Sequence, residues 1–398
     1  MLPFRTLDSL DFTGRRVLLR ADLNVPLRDG AVADASRIVE VVPTIRELLS
    51  KASSVIVVSH LGRPDGRVVP KLSLAPVHQV LAAQLAPVPV HFVADWSDGV
   101  PEAAAAALQP GQVLLLENLR FLPDEEENAP ALARRLASLA DIYVNDAFSC
   151  SHRAHASVEA VARLLPACAG RLMEKELAAL TNALESPKRP VMAIIGGNKI
   201  STKLSVLEHL ITKVNRMAIG GAMANTFLLA AGGHIGKSLA ENNMIDTARR
   251  VQALAKEAGC EIVLPVDAVA APELAPGQAT IVVPADAIPE QQMALDIGPE
   301  SVRRLAELVR GARTVLWNGP LGAFEVKPFD AATNAVAEAV AKATEAGSVL
   351  SVAGGGDTMS ALVGAGVRDR FSYVSLAGGA FLEWLEGREL PGVAVLRA

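Results

Sequence analysis

Arginines stand where apolar runs give way to polar loops in the first half of the chain. That placement suits the binding of a multiply charged anion. Arg20-Ala21-Asp22-Leu23-Asn24-Val25-Pro26 closes one run, Ser59-His60-Leu61-Gly62-Arg63-Pro64 a second, and Glu117-Asn118-Leu119-Arg120-Phe121 a third. Asn145-Asp146-Ala147-Phe148 closes another and leads into His152-Arg153-Ala154-His155. Arg37 falls at the start of a helical stretch. Arg37, Arg63, Arg120 and Arg153 with His60 could therefore face one crevice, because a planar guanidinium meets phosphate or carboxylate oxygens two at a time. Plainer readings stand beside this one. A single loop arginine is more often a solvated charge, and Asp22 with Asn24 suits a turn. His152 and His155 have the spacing of a metal pair but no third ligand near them in sequence.

The second half offers glycines instead. Gly196-Gly197-Asn198-Lys199-Ile200-Ser201-Thr202-Lys203 leaves an apolar run and enters a helical one, so its amides can face phosphate while Lys199 and Lys203 add charge. Asn318-Gly319-Pro320 and Gly354-Gly355-Gly356-Asp357-Thr358 repeat the arrangement. Asp357 is placed for magnesium, which takes one or two carboxylates plus phosphate oxygens. Any one such loop could be a tight turn required by packing; three in succession point to a nucleotide. Gly232-Gly233-His234-Ile235-Gly236-Lys237-Ser238 imitates a phosphate loop, but it follows the helical stretch Ala222 to Ala230 and not a strand.

These loops need a scaffold, and the hydrophobic pattern supplies one. Strands are predicted at 16–20, 55–59, 113–117, 142–145, 191–196, 216–220, 262–266, 314–317 and 349–352. Helices are predicted between them at 36–49, 131–139, 244–258, 299–310 and 330–346. Such alternation implies an α/β fold with parallel sheets, helices on both faces, and ligands beyond the carboxyl ends of the strands. A helical stretch from Arg171 to Leu184 ends at Pro187 and Pro190, which marks a seam. With 398 residues, 51% of them hydrophobic and 20% charged, two globular domains are expected. A net charge of −5 argues against nucleic acid as a partner. Cys150, Cys168 and Cys260 form no C-x-x-C pair, which fits a reducing compartment. No apolar run reaches the roughly 18 residues of a membrane span.

Taken in order, RADLNVP (20–26), SHLGRP (59–64), ENLRF (117–121), HRAHAS (152–157), GGNKISTK (196–203), WNGPLGAFE (317–325), GGGDT (354–358) and LEGRELPGV (385–393) resemble the phosphoglycerate kinase family over nearly the whole chain. The resemblance implies two Rossmann-like three-layer αβα lobes with parallel sheets, joined by a helical hinge. The expected spans are an N-terminal domain at 1–170 completed by the tail 388–398, a connecting helix at 171–186, and a C-terminal domain at 187–387. It implies transfer of a phosphoryl group from 1,3-bisphosphoglycerate to Mg-ADP, giving 3-phosphoglycerate and ATP, in a cytoplasmic monomer without nucleic acid or membrane partners. By the same resemblance Asp22, Asn24, Arg37, His60, Leu61, Gly62, Arg63, Arg120 and Arg153 hold 3-phosphoglycerate. Gly196, Gly197, Lys203, Gly220, Gly221, Asn318, Pro320, Glu325, Gly355, Gly356, Asp357 and Thr358 hold Mg2+ with ADP or ATP, Asp357 being the metal ligand. Arg37, Lys199, Gly378 and Gly379 serve the moving group.

Two departures from the family wording stand out. Ser375-Leu376-Ala377-Gly378-Gly379 has Leu376 where a threonine is usual, so that hydroxyl is missing. Asn198 and Thr202 likewise differ from the usual neighbours of the two lysines. Phosphoryl transfer asks for in-line placement and charge neutralisation more than for covalent help, so lobe motion is part of the expectation. Two rival readings are a kinase for another small carboxylate, and a nucleotide-responsive binding protein that has lost catalysis.

Overall fold

A computed structural model describes residues 4–51 and 53–397. Met1–Pro3, Ala52 and Ala398, which belong to the predicted N-terminal domain and its tail, lie outside the described residues. The chain divides into two compact units, Met1–Ala178 with Glu389–Ala398, and Ala179–Arg388. The division runs through the predicted connecting helix, which is α-helical over Arg171–Leu180 and continues as a π-turn over Thr181–Glu185.

The first unit is built on strands β1 (Arg16–Arg20), β2 (Ser54–Val58), β3 (Val90–Val93), β4 (Val113–Leu116), β5 (Ile142–Asn145) and β6 (Ala167–Ala169). They pair in parallel in the order β3-β4-β2-β1-β5-β6. The apolar runs of the inner strands β2 and β4 are buried on both faces, as parallel strands covered by helices must be. Helix α1 (Ser36–Ser50) turns Ile38, Val41, Ile45 and Leu48 towards Val17, Leu19, Val55 and Val57. That three-and-four spacing is why the segment is a helix. Each such side chain contributes about 1.5–3 kcal/mol on burial. The chain end returns to this unit: the Gly392 amide donates to Ser151 O at 2.9 Å, and Asn145 Nδ2 donates to Gly392 O at 3.2 Å.

The second unit repeats the plan with β7 (Val191–Ile195), β8 (Arg216–Ile219), β9 (Glu261–Val263), β10 (Thr314–Asn318), β11 (Leu350–Gly354) and β12 (Tyr373–Ser375), in the parallel order β9-β8-β7-β10-β11-β12. Leu305 and Val309 from helix Pro299–Arg310, and Val336 and Val340 from helix Ala331–Glu345, pack with Val315 and Trp317 of β10. An antiparallel sheet that the sequence reading omits pairs Asp267–Ala271 with Ile281–Pro284 and Met293–Ile297. Ile281 and Val282 there are exposed, so the segment lacks the signature of a buried strand. Two short pairs, Leu27–Arg28 with Ala31–Val32 and His234–Ile235 with Ala287–Ile288, are also omitted, as are β3, β6 and β12, short strands at the edges of the two main sheets. The strand predicted at 262–266 is the edge β9, which stops at Val263.

Candidate active site

In each sheet the strand order reverses beside the unit's first strand, between β1 and β5 and between β7 and β10. Loops leaving neighbouring strands diverge there in opposite directions, opening a crevice at the carboxyl ends. The predicted Asp22 and Arg153 follow β1 and β5, and the predicted Gly196, Lys203 and Asn318 follow β7 and β10, while His60, Arg120 and Gly355 follow the neighbouring strands β2, β4 and β11.

In the first unit, Asp22 follows β1 and accepts from Arg37 Nη1 near the start of α1 and from Ser149 Oγ after β5. Asp22 Oδ1 also accepts from the Asn24 amide at 3.1 Å. Burial alone would raise this carboxyl, but Arg37 and the donors Ser149 and Asn24 hold it below the usual carboxylate range. Asn24 Oδ1 accepts from the Gly62 amide at 3.0 Å, tying the loop after β1 to the loop after β2. Asn118, after β4, closes the next link: its Oδ1 accepts from the Leu61 amide at 3.1 Å and its Nδ2 donates to Leu61 O at 2.7 Å. Arg120 is buried, donates from Nη1 to Gly62 O at 2.7 Å, and pairs through Nε with Glu126 at 3.0 Å.

His60 is buried, and burial, followed by the charge of Arg20, holds its imidazole well below the usual range. Asp22, Arg37 and Arg120 also act on its charge, so these groups share one neighbourhood. Arg63 and Arg153 are exposed; Arg153 Nε lies 3.3 Å from His152 Nε2, and Arg153 acts electrostatically on Arg120.

In the second unit the segment 196–203 leaves β7 and turns before helix α2 (Leu204–Ile211) begins, so Lys199 sits exposed on the turn. Lys203 donates to Asn318 Oδ1 at the end of β10, and Asn318 Nδ2 donates to Gly354 O at 2.7 Å. Burial lowers the Lys203 ammonium, with Asp357 and Glu386 pulling the other way. The Gly319 amide donates to Thr358 Oγ1 at 2.7 Å. Three glycine loops are thus laced together. Their approach is close: a Cβ on Gly196 would overlap the Pro320 carbonyl, and one on Gly221 would lie 2.9 Å from the Gly197 amide nitrogen. Gly220 ends β8's ladder by donating to Ile195 O at 3.0 Å. Gly356 and Asp357 open a helix (Gly356–Gly364), and Gly378 and Gly379 open another (Gly378–Leu385); Asp357 and Glu325 are exposed.

Sequence reasoning missed a small cavity of about 30 Å³ beside Gly221 and Leu321, lined by Ala224, Leu228, Ala294 and Asp296. It also missed Arg20, Ser149 and Cys150, whose partners lie far along the chain. Asp22, His60 and Cys150 are the only described residues grouped with metal-ligand spacing. A cation already serves them: Arg20 Nη2 stands 3.1 Å from His60 Nδ1 and 3.6 Å from Cys150 Sγ. Asp357 fits magnesium better, because it is exposed at a helix start beside the glycine loops and close enough to act on Lys203. The imitation phosphate loop does follow a helix, Ala222–Ala230, and Lys237 Nζ donates to Pro272 O at 2.8 Å.

Two parallel sheets, one opening onto guanidinium groups and the other onto laced glycine loops, define an α/β phosphotransferase. The family model for phosphoglycerate kinase matches residues 7–388. Phosphoglycerate kinases of Granulibacter bethesdensis and Azorhizobium caulinodans are 57% and 56% identical, each alignment covering 100% of both chains. The phosphoglycerate kinase structure from Coxiella burnetii has a TM-score of 0.93 at 43% identity, covering 99% of this chain and 98% of its own. The one from Pyrococcus horikoshii has a TM-score of 0.77 at 29% identity, with the same coverage. The chain belongs to the phosphoglycerate kinase family, and its reaction is phosphoryl transfer between 1,3-bisphosphoglycerate and ADP.

Proposed function

We propose that the two units divide the substrates, the first binding the three-carbon acid phosphate and the second the nucleotide. The observation that supports this most is the convergence of the loops after β1, β2, β4 and β5 on Asp22, Arg37, His60 and Arg120. In this reading Asp22 accepts from the substrate hydroxyl, while Asn24, His60 and the backbone of Leu61 and Gly62 orient the acid. Arg63, Arg120 and Arg153 neutralise its charges.

In the second unit Gly197, Gly355 and Gly356 offer amides to the nucleotide phosphates, while Gly196, whose own amide donates to Asn318 O at 2.9 Å, gives the close approach of the loops; Lys203 adds charge, and Asn318, Pro320 and Thr358 hold the loops in place. Glu325 meets the ribose, and Gly220 and Gly221 adjoin the nucleotide. Asp357 would hold Mg2+ together with phosphate oxygens; the ion supplies neutralisation of charge on the transferred group. Arg37, Lys199 and the helix-start amides of Gly378 and Gly379 receive the negative charge that spreads over the moving phosphoryl oxygens. In-line transfer requires the two ligands to be brought together and water kept out, so motion of one unit on the other belongs to the proposal. The same reading takes the enzyme as a cytoplasmic monomer; its free, buried cysteines agree with a reducing compartment.

Lys199→Ala tests the assignment in a coupled assay with 3-phosphoglycerate and Mg-ATP. Turnover should fall by roughly a hundredfold or more, as on loss of a group that meets transition-state charge. Circular dichroism should be unchanged, because Lys199 is exposed. A near-normal rate would sink the assignment.

A further inference from the structure

We infer that Arg20 is a positioning residue that holds His60 as the neutral tautomer protonated at Nε2, so that the imidazole meets the acid substrate as a fixed hydrogen-bond donor. The inference rests on the reading that His60 touches that substrate.

Arg20 ends β1 with 1% of its surface exposed, and His60 is 6% exposed. Arg20 Nη2 lies 3.1 Å from His60 Nδ1. A guanidinium has donors only, so at this distance Nδ1 must present its lone pair, and the ring proton resides on Nε2. A protonated Nδ1 would set two donors against each other in a buried place. The guanidinium is itself fixed. Its Nε donates to Ser157 Oγ at 2.9 Å and its Nη1 to Ala21 O at 2.5 Å. Ser157 in turn donates through Oγ and its amide to Glu125, at 2.6 and 3.0 Å, so a buried carboxylate offsets the buried cation.

The other groups facing His60 leave this arrangement intact. Asp22, engaged by Arg37 and Ser149, favours a proton on the ring, but burial and the charge of Arg20 outweigh it. Arg37 and Arg120 oppose a positive imidazole. Cys150 Sγ, 3.9 Å from Nδ1, stays a thiol because burial pushes its pKa up. The consequence is functional: the acid substrate finds a neutral donor whose state does not change with pH across the working range.

Nitrogen-15 correlation spectra of the intact enzyme read the tautomer directly, with the His60 signals identified by their loss in His60→Ala. Wild type should give a pyrrole-type Nε2 and a pyridine-type Nδ1, unchanged from about pH 6 to about pH 8, where a free imidazole titrates. A proton on Nδ1, or titration in that interval, would overturn the inference without touching the substrate assignment. In Arg20→Met the Michaelis constant for 3-phosphoglycerate should rise roughly tenfold, the scale of one lost charge-supported hydrogen bond. It should also gain a pH dependence that wild type lacks, with kcat far less affected. Arg20→Lys, which keeps a donor, should restore the flat profile. Because Arg20→Met strands the Glu125 carboxylate, Arg20→Met with Glu125→Gln is measured beside it and should behave alike. A wild-type profile in both Met variants would refute the positioning role. Undiminished affinity in His60→Ala would instead refute the substrate contact.

Discussion

Gly355→Ala puts the lacing of the nucleotide loops to a quantitative test. Gly355 precedes its helix at φ +101° and ψ 145°, a region that only glycine enters freely. An added Cβ would stand 2.6 Å from Asn318 Nδ2 and 3.4 Å from Thr358 Oγ1. The backbone conformation costs about 1–3 kcal/mol for a residue with a side chain. Displacing Asn318 from Gly354 O, where it donates at 2.7 Å, removes a buried hydrogen bond worth about 0.5–1.5 kcal/mol. The sum is about 1.5–4.5 kcal/mol against the second unit. Part of it should appear as lost nucleotide affinity, since Asn318 also receives Lys203. Urea unfolding measures the stability, and calorimetric titrations measure ADP and 3-phosphoglycerate separately. The expected result is a destabilised second unit, ADP binding weaker by roughly tenfold or more, and 3-phosphoglycerate binding unchanged. Unaltered ADP affinity, or equal loss for both ligands, would refute the reasoning.

Other outcomes follow from single side chains. Burial pushes the Asp296 carboxyl to about 7. A folded pKa raised above the unfolded one favours the protonated folded form, so this group's stabilisation is complete below about pH 4 and is lost as pH rises through 7. Asp296→Asn should therefore flatten the fall in second-unit stability over that interval, as followed by urea midpoints; an unchanged slope would show that Asp296 does not titrate there. Asp22→Asn removes the ion pair with Arg37 and should raise the Michaelis constant for 3-phosphoglycerate roughly tenfold, while that for ADP stays put. Steady-state kinetics with each substrate varied in turn checks it, and a shift confined to ADP would contradict the assignment.

The parts of the fold legible in sequence are those whose burial is complete. Val55–Val58 and Val191–Ile195 are buried throughout and read as strands at sight. Val90–Val93 is only partly buried, and Ala167–Ala169 is buried but has no β-branched residue, so neither announces itself. Glycine loops were visible because a strand, glycines and a helix follow one another locally. The wiring was not: Arg20 meets His60 across 40 positions and Cys150 across 130, and sequence spacing says nothing of such pairs. Asn118 reads in sequence only as a loop residue, yet its side chain bonds to both the amide and the carbonyl of Leu61. The paired lysines of one loop also part company, with Lys203 half-buried against Asn318 and Lys199 exposed.

The division of ligands between the units is tested most directly by titrating Arg63→Ala with 3-phosphoglycerate and with ADP in separate calorimetric experiments. Arg63 is exposed beside Gly62, so its removal should leave the protein folded. The account predicts clearly weaker binding of 3-phosphoglycerate and wild-type binding of ADP. Equal weakening of both, or loss of ADP binding alone, would contradict it.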